Sequence, residues 1–421
     1  MKHIYIYSQN LLLLLMLSVI VSCKDNGPRT KQMHYKTGKL TKVSSLRAEV
    51  VGTSPAIQIS VPGKIYVYND YLFINEVGQG IHVVDNSNPA SPKVINFIKI
   101  PGNMDLAVNS NYLYADSYVD LLTFDISNPA NIKLHKRNTD VFPGFYTDLA
   151  KQTIYTYKDT VVTVPIETGV WRNGFGRSEF TLANGAGAAF ASDSKSYGQG
   201  GSMARFTLMN DFLYTVDQSS LGVFNVNNAS NPTYVTTKKL GWGIETIFPY
   251  EDKLFIGSTT GMHIYDAKIP ASPEFVSTYA HFTSCDPVIV SGKYAYVTLR
   301  AGNFCQQGVN QLDVLNVEDI LHPKLLKTFP MQNPHGLGIS RNYLYLAEGE
   351  FGLKSFSITD PLKVGNTKIQ HLTGFHAFDL IPASKSLIVT GEDGVYQFNY
   401  TNPKVLKQIS KLKIAAPSNN N

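Results

Sequence analysis

The chain has 421 residues, 43% of them apolar, with a formal net charge of +5. That length could make two or three domains, but the continuous repeats described below argue for one large one. The charge is segregated: Lys24, Arg29, Lys31, Lys36, Lys39 and Lys42 stand against Asp25 in residues 24–45, and with Lys2 also set aside the remainder is near −1. A near-neutral body offers no electrostatic footprint to a polyanion, so nucleic acid is excluded as a partner.

Residues 1–22 form a leader. Lys2 and His3 precede an apolar core from Leu11 to Val21, too short to span about 30 Å of hydrocarbon. Ile20-Val21-Ser22-Cys23 resembles the lipobox of a bacterial lipoprotein. The resemblance implies cleavage before Cys23 and acylation of that residue, with several acyl chains together giving a stable membrane anchor. Residues 23–45, polar, basic and broken early by Gly27-Pro28, read as a flexible tether. Lys24-Asp25 resembles the surface-export signals of Bacteroidetes lipoproteins. The expected address is the outer membrane, with the body on its periplasmic or cell-surface side. In residues 46–62, the apolar stretch from Ala48 to Val61 is an extra strand or a ring-closing one.

From Gly63 the chain repeats, and each copy ends in Asp or Asn followed by an Asn-Pro or similar turn: Asp85 to Pro89, Asp125 to Pro129, Asn225 to Pro232, Asp266 to Pro270, Asn316 to Pro323, Ser357 to Pro361 and Asn399 to Pro403. Within a copy, short period-two apolar runs are bounded by Asn, Gly, Ser and Pro, which is the strand-and-turn signal. Second strands are aromatic, as in Tyr71-Leu72-Phe73, Tyr112-Leu113-Tyr114, Phe212-Leu213-Tyr214 and Tyr343-Leu344-Tyr345. Third strands open on glycine, as in Gly80-Ile81-His82-Val83-Val84-Asp85 and Gly352-Leu353-Lys354-Ser355-Phe356. A period near forty residues carried by several short strands predicts an all-β fold, a β-propeller in which each unit is a four-stranded blade. Eight units are counted, beginning near Gly63, Asn103, Tyr146, Ala204, Glu245, Asp286, His335 and His376, in one domain over residues 63–414; residues 415–421 form a disordered tail. The third unit is the weakest, since Thr160-Val161-Val162-Thr163-Val164-Pro165 lacks the usual ending, and a seven-bladed ring stays open. On these residues the chain resembles the LVIVD-repeat proteins, β-propellers of the bacterial envelope.

Chemistry is weakly marked. The chain holds no Gly-x-Ser-x-Gly elbow, phosphate loop or His-Glu-x-x-His helix, and no cofactor is expected. The carboxylates Glu348 and Glu350, and Glu392 and Asp393, follow second strands and are expected to solvate loops or bond turns. Cys285 and Cys305 flank two strands that would be antiparallel neighbours in the sixth unit, so they form a disulfide or remain two free buried thiols. Glu245, Asp286, His335 and His376 begin successive units. In a closed ring they converge at one channel mouth, where they either bind a cation or polar ligand or merely tolerate water.

Two long excursions, residues 167–203 and 300–311, are expected on that same face, with Ala183 to Met203 emerging there. Glycines beside Trp171, Phe175, Phe190 and Tyr197 suit an adaptable contact surface. The expected function is a lipid-anchored binding or scaffolding module in the envelope, with a protein or glycan partner. The alternative is a hydrolase or lyase acting on a glycan or peptide at the channel mouth.

Overall fold

The computed structural model describes residues 30–165, 199–280, 287–300 and 309–415. They fall into two units. The smaller pairs residues 30–40 with residues 155–165, from the strands Thr30–Lys42 and Thr153–Pro165. Thr156 Oγ1 donates to the Lys39 carbonyl at 3.3 Å, and the rings of Tyr155 and Tyr157 stack 6.4 Å apart. Residues 30–42, inside the segment read as a tether, thus form a strand. A strand without an apolar face takes its order from its partner's ladder, which a hydropathy pattern does not show.

The larger unit is the propeller. Blade 1 runs Pro62–Tyr68, Tyr71–Glu76, Gly80–Asp85 and Lys93–Lys99; blade 2, Leu106–Asn109, Tyr112–Ser117, Asp120–Asp125 and Lys133–Asn138. Blade 3 runs Phe206–Met209, Phe212–Val216, Ser220–Asn225 and Thr233–Lys239; blade 4, Ile244–Tyr250, Lys253–Ser258, Gly261–Asp266 and Glu274–Ala280. Blade 5 runs Val288–Ser291, Tyr294–Leu299, Gln311–Asn316 and Lys324–Pro330; blade 6, Leu337–Ser340, Tyr343–Ala347, Leu353–Ser357 and Lys368–Leu372; blade 7, Asp379–Pro382, Leu387–Gly391, Gly394–Asn399 and Lys407–Lys413. The described strands make eight sheets, of which six have four strands, one has six and one has three.

The three-stranded sheet belongs to the third sequence unit, where Tyr146–Asp148 pairs with Thr153–Pro165. Blades 2 and 3 touch directly. Tyr114 of blade 2 donates its hydroxyl to the Ala229 carbonyl of blade 3 at 2.8 Å, and Lys136 Nζ reaches the Pro232 carbonyl at 2.8 Å. Phe142, Phe206 and Phe224 join Leu113, Tyr114 and Phe124 in one core. The ring therefore has seven blades, with blade 3 packed directly on blade 2.

The repeated sequence features have local causes. The Asp or Asn ending most third strands accepts a hydrogen bond from the amide two residues on, as Asp85 does from Ser87 at 2.9 Å, Asp125 from Ser127 at 2.9 Å, Asn225 from Asn227 at 2.9 Å and Asp266 from Lys268 at 2.8 Å. These are Asx turns, which reverse the chain into the outer strand. Third strands open on glycine because a Cβ at Gly80 or Gly352 would lie 2.0 Å from the carbonyl of Ile98 or Leu372 on the outer strand, and both glycines sit at positive φ. The aromatic residues of second strands fill the space between blades: Phe73, Tyr114, Tyr214 and Tyr345 are fully buried, each contributing roughly 2–3 kcal/mol of apolar transfer.

The ring closes through side chains. Blade 7 supplies all four of its strands and packs Ile381, Ile388 and Val395 on Ile65, Leu72 and Val84 of blade 1. Gln397 Nε2 donates to Asn86 Oδ1 at 2.6 Å and Ser410 Oγ to the Pro89 carbonyl at 2.6 Å. Within residues 46–62, Gly52–Pro55 is a strand on the outer edge of blade 1, beside Lys93–Lys99. The short helix Val43–Arg47 is tied to blade 2, Arg47 gripping the buried Asp120 through two nitrogens at 2.9 and 2.6 Å. Inner strands begin on one face of the ring, here the upper face. The lower face carries the turns into second strands and the Asn-Pro turns.

Candidate functional site

The centre of the ring is occupied by the chain itself. Gln199–Gly200 pairs antiparallel with the free inner edge of blade 1, Gln199 opposite Val67 and Gly200 opposite Tyr66. Gly201, Ser202 and Met203 are buried. Ser202 Oγ accepts from the Leu337 amide of blade 6 at 3.0 Å, the Met203 carbonyl accepts from Lys64 Nζ of blade 1 at 2.7 Å, and the Ala204 carbonyl accepts from the Ile247 amide of blade 4 at 2.9 Å. A segment bonded to blades 1, 4 and 6 lies among the inner strands, so it plugs the channel. Small residues permit this: a Cβ at Gly200 would press on the Tyr66 ring at 3.0 Å. The sequence placed Ala183 to Met203 on a face as a surface loop. Its described end, residues 199–203, is instead pairing-competent backbone drawn into the channel, where unpaired inner edges need partners.

Charged side chains surround the plug. Lys64 lies in the field of Asp105, Arg205, Asp379 and Glu245, and Arg300 in that of Glu245. Burial, opposed first by Asp105, brings the Lys64 ammonium down to about 8. Burial also raises the Asp105 carboxyl and pushes Asp116 up to about 7. Asp116 Oδ1 accepts from Met104 N at 2.8 Å, Asp105 N at 3.0 Å and Asn103 Nδ2 at 2.8 Å. Among the described residues, Lys64, Arg205 and Arg300 stand against Asp105, Glu245 and Asp379, with Asp116 beside them, so cations and anions are closely matched.

Of the four residues expected at the mouth, three are described. Glu245 is partly exposed and belongs to the charged group. His335 is buried: its amide donates to the Ala347 carbonyl at 2.8 Å, its carbonyl accepts from Thr298 Oγ1 at 2.9 Å, and its ring meets Phe378 edge-on at 5.4 Å. Burial, then Arg300, lowers its imidazole to about 3, so it is neutral. The His376 ring also meets Phe378 edge-on, 6.3 Å away, with Nδ1 2.9 Å from Glu392 Oε2 in an exposed pair. The histidines and Glu245 thus share a neighbourhood through Arg300 and Phe378 without converging on one point. Asp286, Cys23, Cys285, Cys305, Trp171, Phe175, Phe190 and Tyr197 lie outside the described residues.

Sequence reasoning missed Lys64, Asp105, Arg205 and Asp379. The signal is in the sequence: each immediately precedes the first apolar residue of its inner strand, Ile65, Leu106, Phe206 or Leu380. It also passed over Trp242, 80% exposed on the upper face in the loop entering blade 4, between Gly241 and Gly243 with φ of +103° and +82°. Glu348, expected to be a solvating carboxylate, is buried and paired with Lys354 Nζ at 2.6 Å.

Residues 63–97, 102–140 and 284–304 match the family described as LVIVD repeat. The chain carries LVIVD repeats on a propeller fold. Among solved structures it is similar to a protein from Lactobacillus plantarum, with a TM-score of 0.51 at 12% identity over 85% of this chain and 97% of that one. It is likewise similar to the computationally designed Ika8 protein, with a TM-score of 0.50 at 8% identity over 86% and 91%. At such identities the likeness is one of fold. No curated protein matches the sequence. No helix among the described residues is long and apolar enough to cross a membrane.

Proposed function

We propose that the chain is a lipid-anchored propeller acting as a binding or scaffolding module at a bacterial cell envelope, and that its protein or glycan partner engages the upper face around Trp242. The observation that carries this reading is the division of labour at the ring's centre. The channel holds residues 199–203 and, among the described residues, closely matched opposite charges, while Trp242 stands 80% exposed beside them. Channel catalysis requires a cleft that admits substrate. An exposed tryptophan supplies the large amphipathic area from which binding hot spots are built. Anchoring rests on the leader ending at Cys23.

Photo-crosslinking tests the surface. A photoreactive residue at position 242 of the full chain in cells is expected to give a discrete adduct, and the same probe at position 321 on the lower face to give none. An adduct from 321 and none from 242 overturns the assignment. Palmitate labelling tests the anchor: Cys23→Ala is expected to abolish incorporation, and undiminished labelling refutes acylation at that residue.

A further inference from the structure

A cavity of about 60 Å³ opens on the lower face between blades 6 and 7, lined by Ser340, Arg341, Tyr345, Ser384, Tyr400 and Thr401 among others, with no carboxylate in its wall. Comparison among blades singles it out. Tyr114 and Tyr214 hold the same place in their second strands and donate to the next blade's turn, at the Ala229 and Pro270 carbonyls, both at 2.8 Å. Those acceptors stand four places past the third-strand terminus (229−225 and 270−266), and the corresponding residue for Tyr345 is Pro403 (403−399). Pro403 lines the cavity, and Tyr345 does not reach it. The fully buried Tyr345 keeps a hydroxyl with no hydrogen-bond partner, where such a group normally has one.

The wall is rich in donors. Arg341 is exposed and makes no ion pair among the described residues. Burial raises the Tyr345 phenol well above its ordinary value, so it remains a proton donor. Tyr400 and Thr401 spend their hydroxyl protons inside the protein, on the Ala383 carbonyl and on Asn399 Oδ1 at 2.7 Å. For a ligand the wall offers a guanidinium and a phenol, with the hydroxyls of Ser384, Ser340 and Tyr343 beside them. This set matches an acceptor-only group of negative charge.

We propose that the cavity between blades 6 and 7 binds a small oxyanion, a carboxylate, phosphate or sulfate, held by the Arg341 guanidinium and the Tyr345 hydroxyl. The site is on the face opposite Trp242 and does not depend on the reading given there.

Calorimetric titration of the full chain with acetate, inorganic phosphate and sulfate tests it, with methyl phosphate as a fourth arm. Saturable binding of at least one ion is expected. R341Q and Y345F should each weaken it about tenfold or more. Methyl phosphate binding more tightly than phosphate assigns the group to a larger ligand, and the reverse to a free ion. Y345F will fold, since Phe73 and Phe255 hold the same register in blades 1 and 4. Without anion its melting temperature should equal or exceed that of the unaltered protein, whereas Y114F should melt lower. The bound ion should raise the melting temperature of the unaltered protein alone. No saturable binding by any of the four, undiminished binding in both variants, or a Y345F loss of stability matching that of Y114F overturns the proposal.

Discussion

Lys64 of the first inner strand donates its ammonium to the main-chain carbonyl of Met203, 139 residues away in sequence, at 2.7 Å. This bond closes the plug against blade 1, and the buried cation also offsets Asp105, Glu245 and Asp379. Lys64→Met keeps the stem and removes both effects. Removing one partner from a buried charge cluster costs about 3 kcal/mol, expected as a lower denaturant midpoint. Hydrogen exchange should rise at residues 199–203 ahead of the blade cores. Unchanged protection there would mean that strand pairing alone holds the plug.

Asp116 gives the propeller an alkaline weakness. Its folded value of about 7 lies above the ordinary 3.8, so the folded state binds the extra proton, and the stability this contributes is lost as pH rises from about 4 through 7. Asp116→Asn mimics the protonated acid. It should match the unaltered protein near pH 4 and exceed it at pH 8 by about 4 kcal/mol. The acid limb should survive in the variant, because His335, lowered from 6.5 to about 3, is neutral in the fold and its contribution is lost as pH falls through that range. Thermal melts of both proteins between pH 4 and 9 check both slopes.

Cys285 and Cys305 are proposed to form a disulfide. The strands they flank, Val288–Ser291 and Tyr294–Leu299, pair with Val288 opposite Val297, so the start of one lies beside the end of the other. A bridge closing about twenty residues would stabilise by roughly 3 kcal/mol in the chain-entropy model. Peptide mapping without reduction should recover the linked pair. Quantitative alkylation of both thiols beforehand would count against it.

The repeat made the fold legible because its markers are local causes. An Asx turn needs Asp85 or Asn225 where it stands, and a strand crowded by a neighbouring carbonyl needs Gly80 or Gly352. Ring size was less legible, since a unit can be present in sequence and absent from the circle. What decides is whether Tyr114 meets Ala229, a pairing across 115 residues. The plug was hidden for a similar reason: Gly200, Gly201 and Ser202 look like linker, and their role comes from the inner edge of blade 1 that they cover. Of the charged group only Glu245 was legible; Lys64, Asp105, Arg205 and Asp379 escaped because each is single in its own blade and acquires neighbours only when the ring closes.

Glu348 shows how that closure changes the meaning of a residue, and it supports the sharpest stability test. In sequence it is a loop carboxylate; in the fold it is fully buried, accepts from Lys354 Nζ at 2.6 Å, and faces the Gln332 amide at 3.2 Å. Gln332 Oε1 takes a second Lys354 proton at 2.8 Å, so the ammonium is held from two sides. Lys354→Met would leave a buried anion with one amide donor, and should cost about 3–5 kcal/mol. Glu348→Gln added to it removes the stranded charge and should recover a large part of that loss, because a neutral amide can still accept from the Gln332 amide. Denaturant unfolding of the single and double variants measures the coupling directly. If the double variant is no more stable than Lys354→Met alone, the damage lies in lost packing of the lysine stem and not in the uncompensated carboxylate.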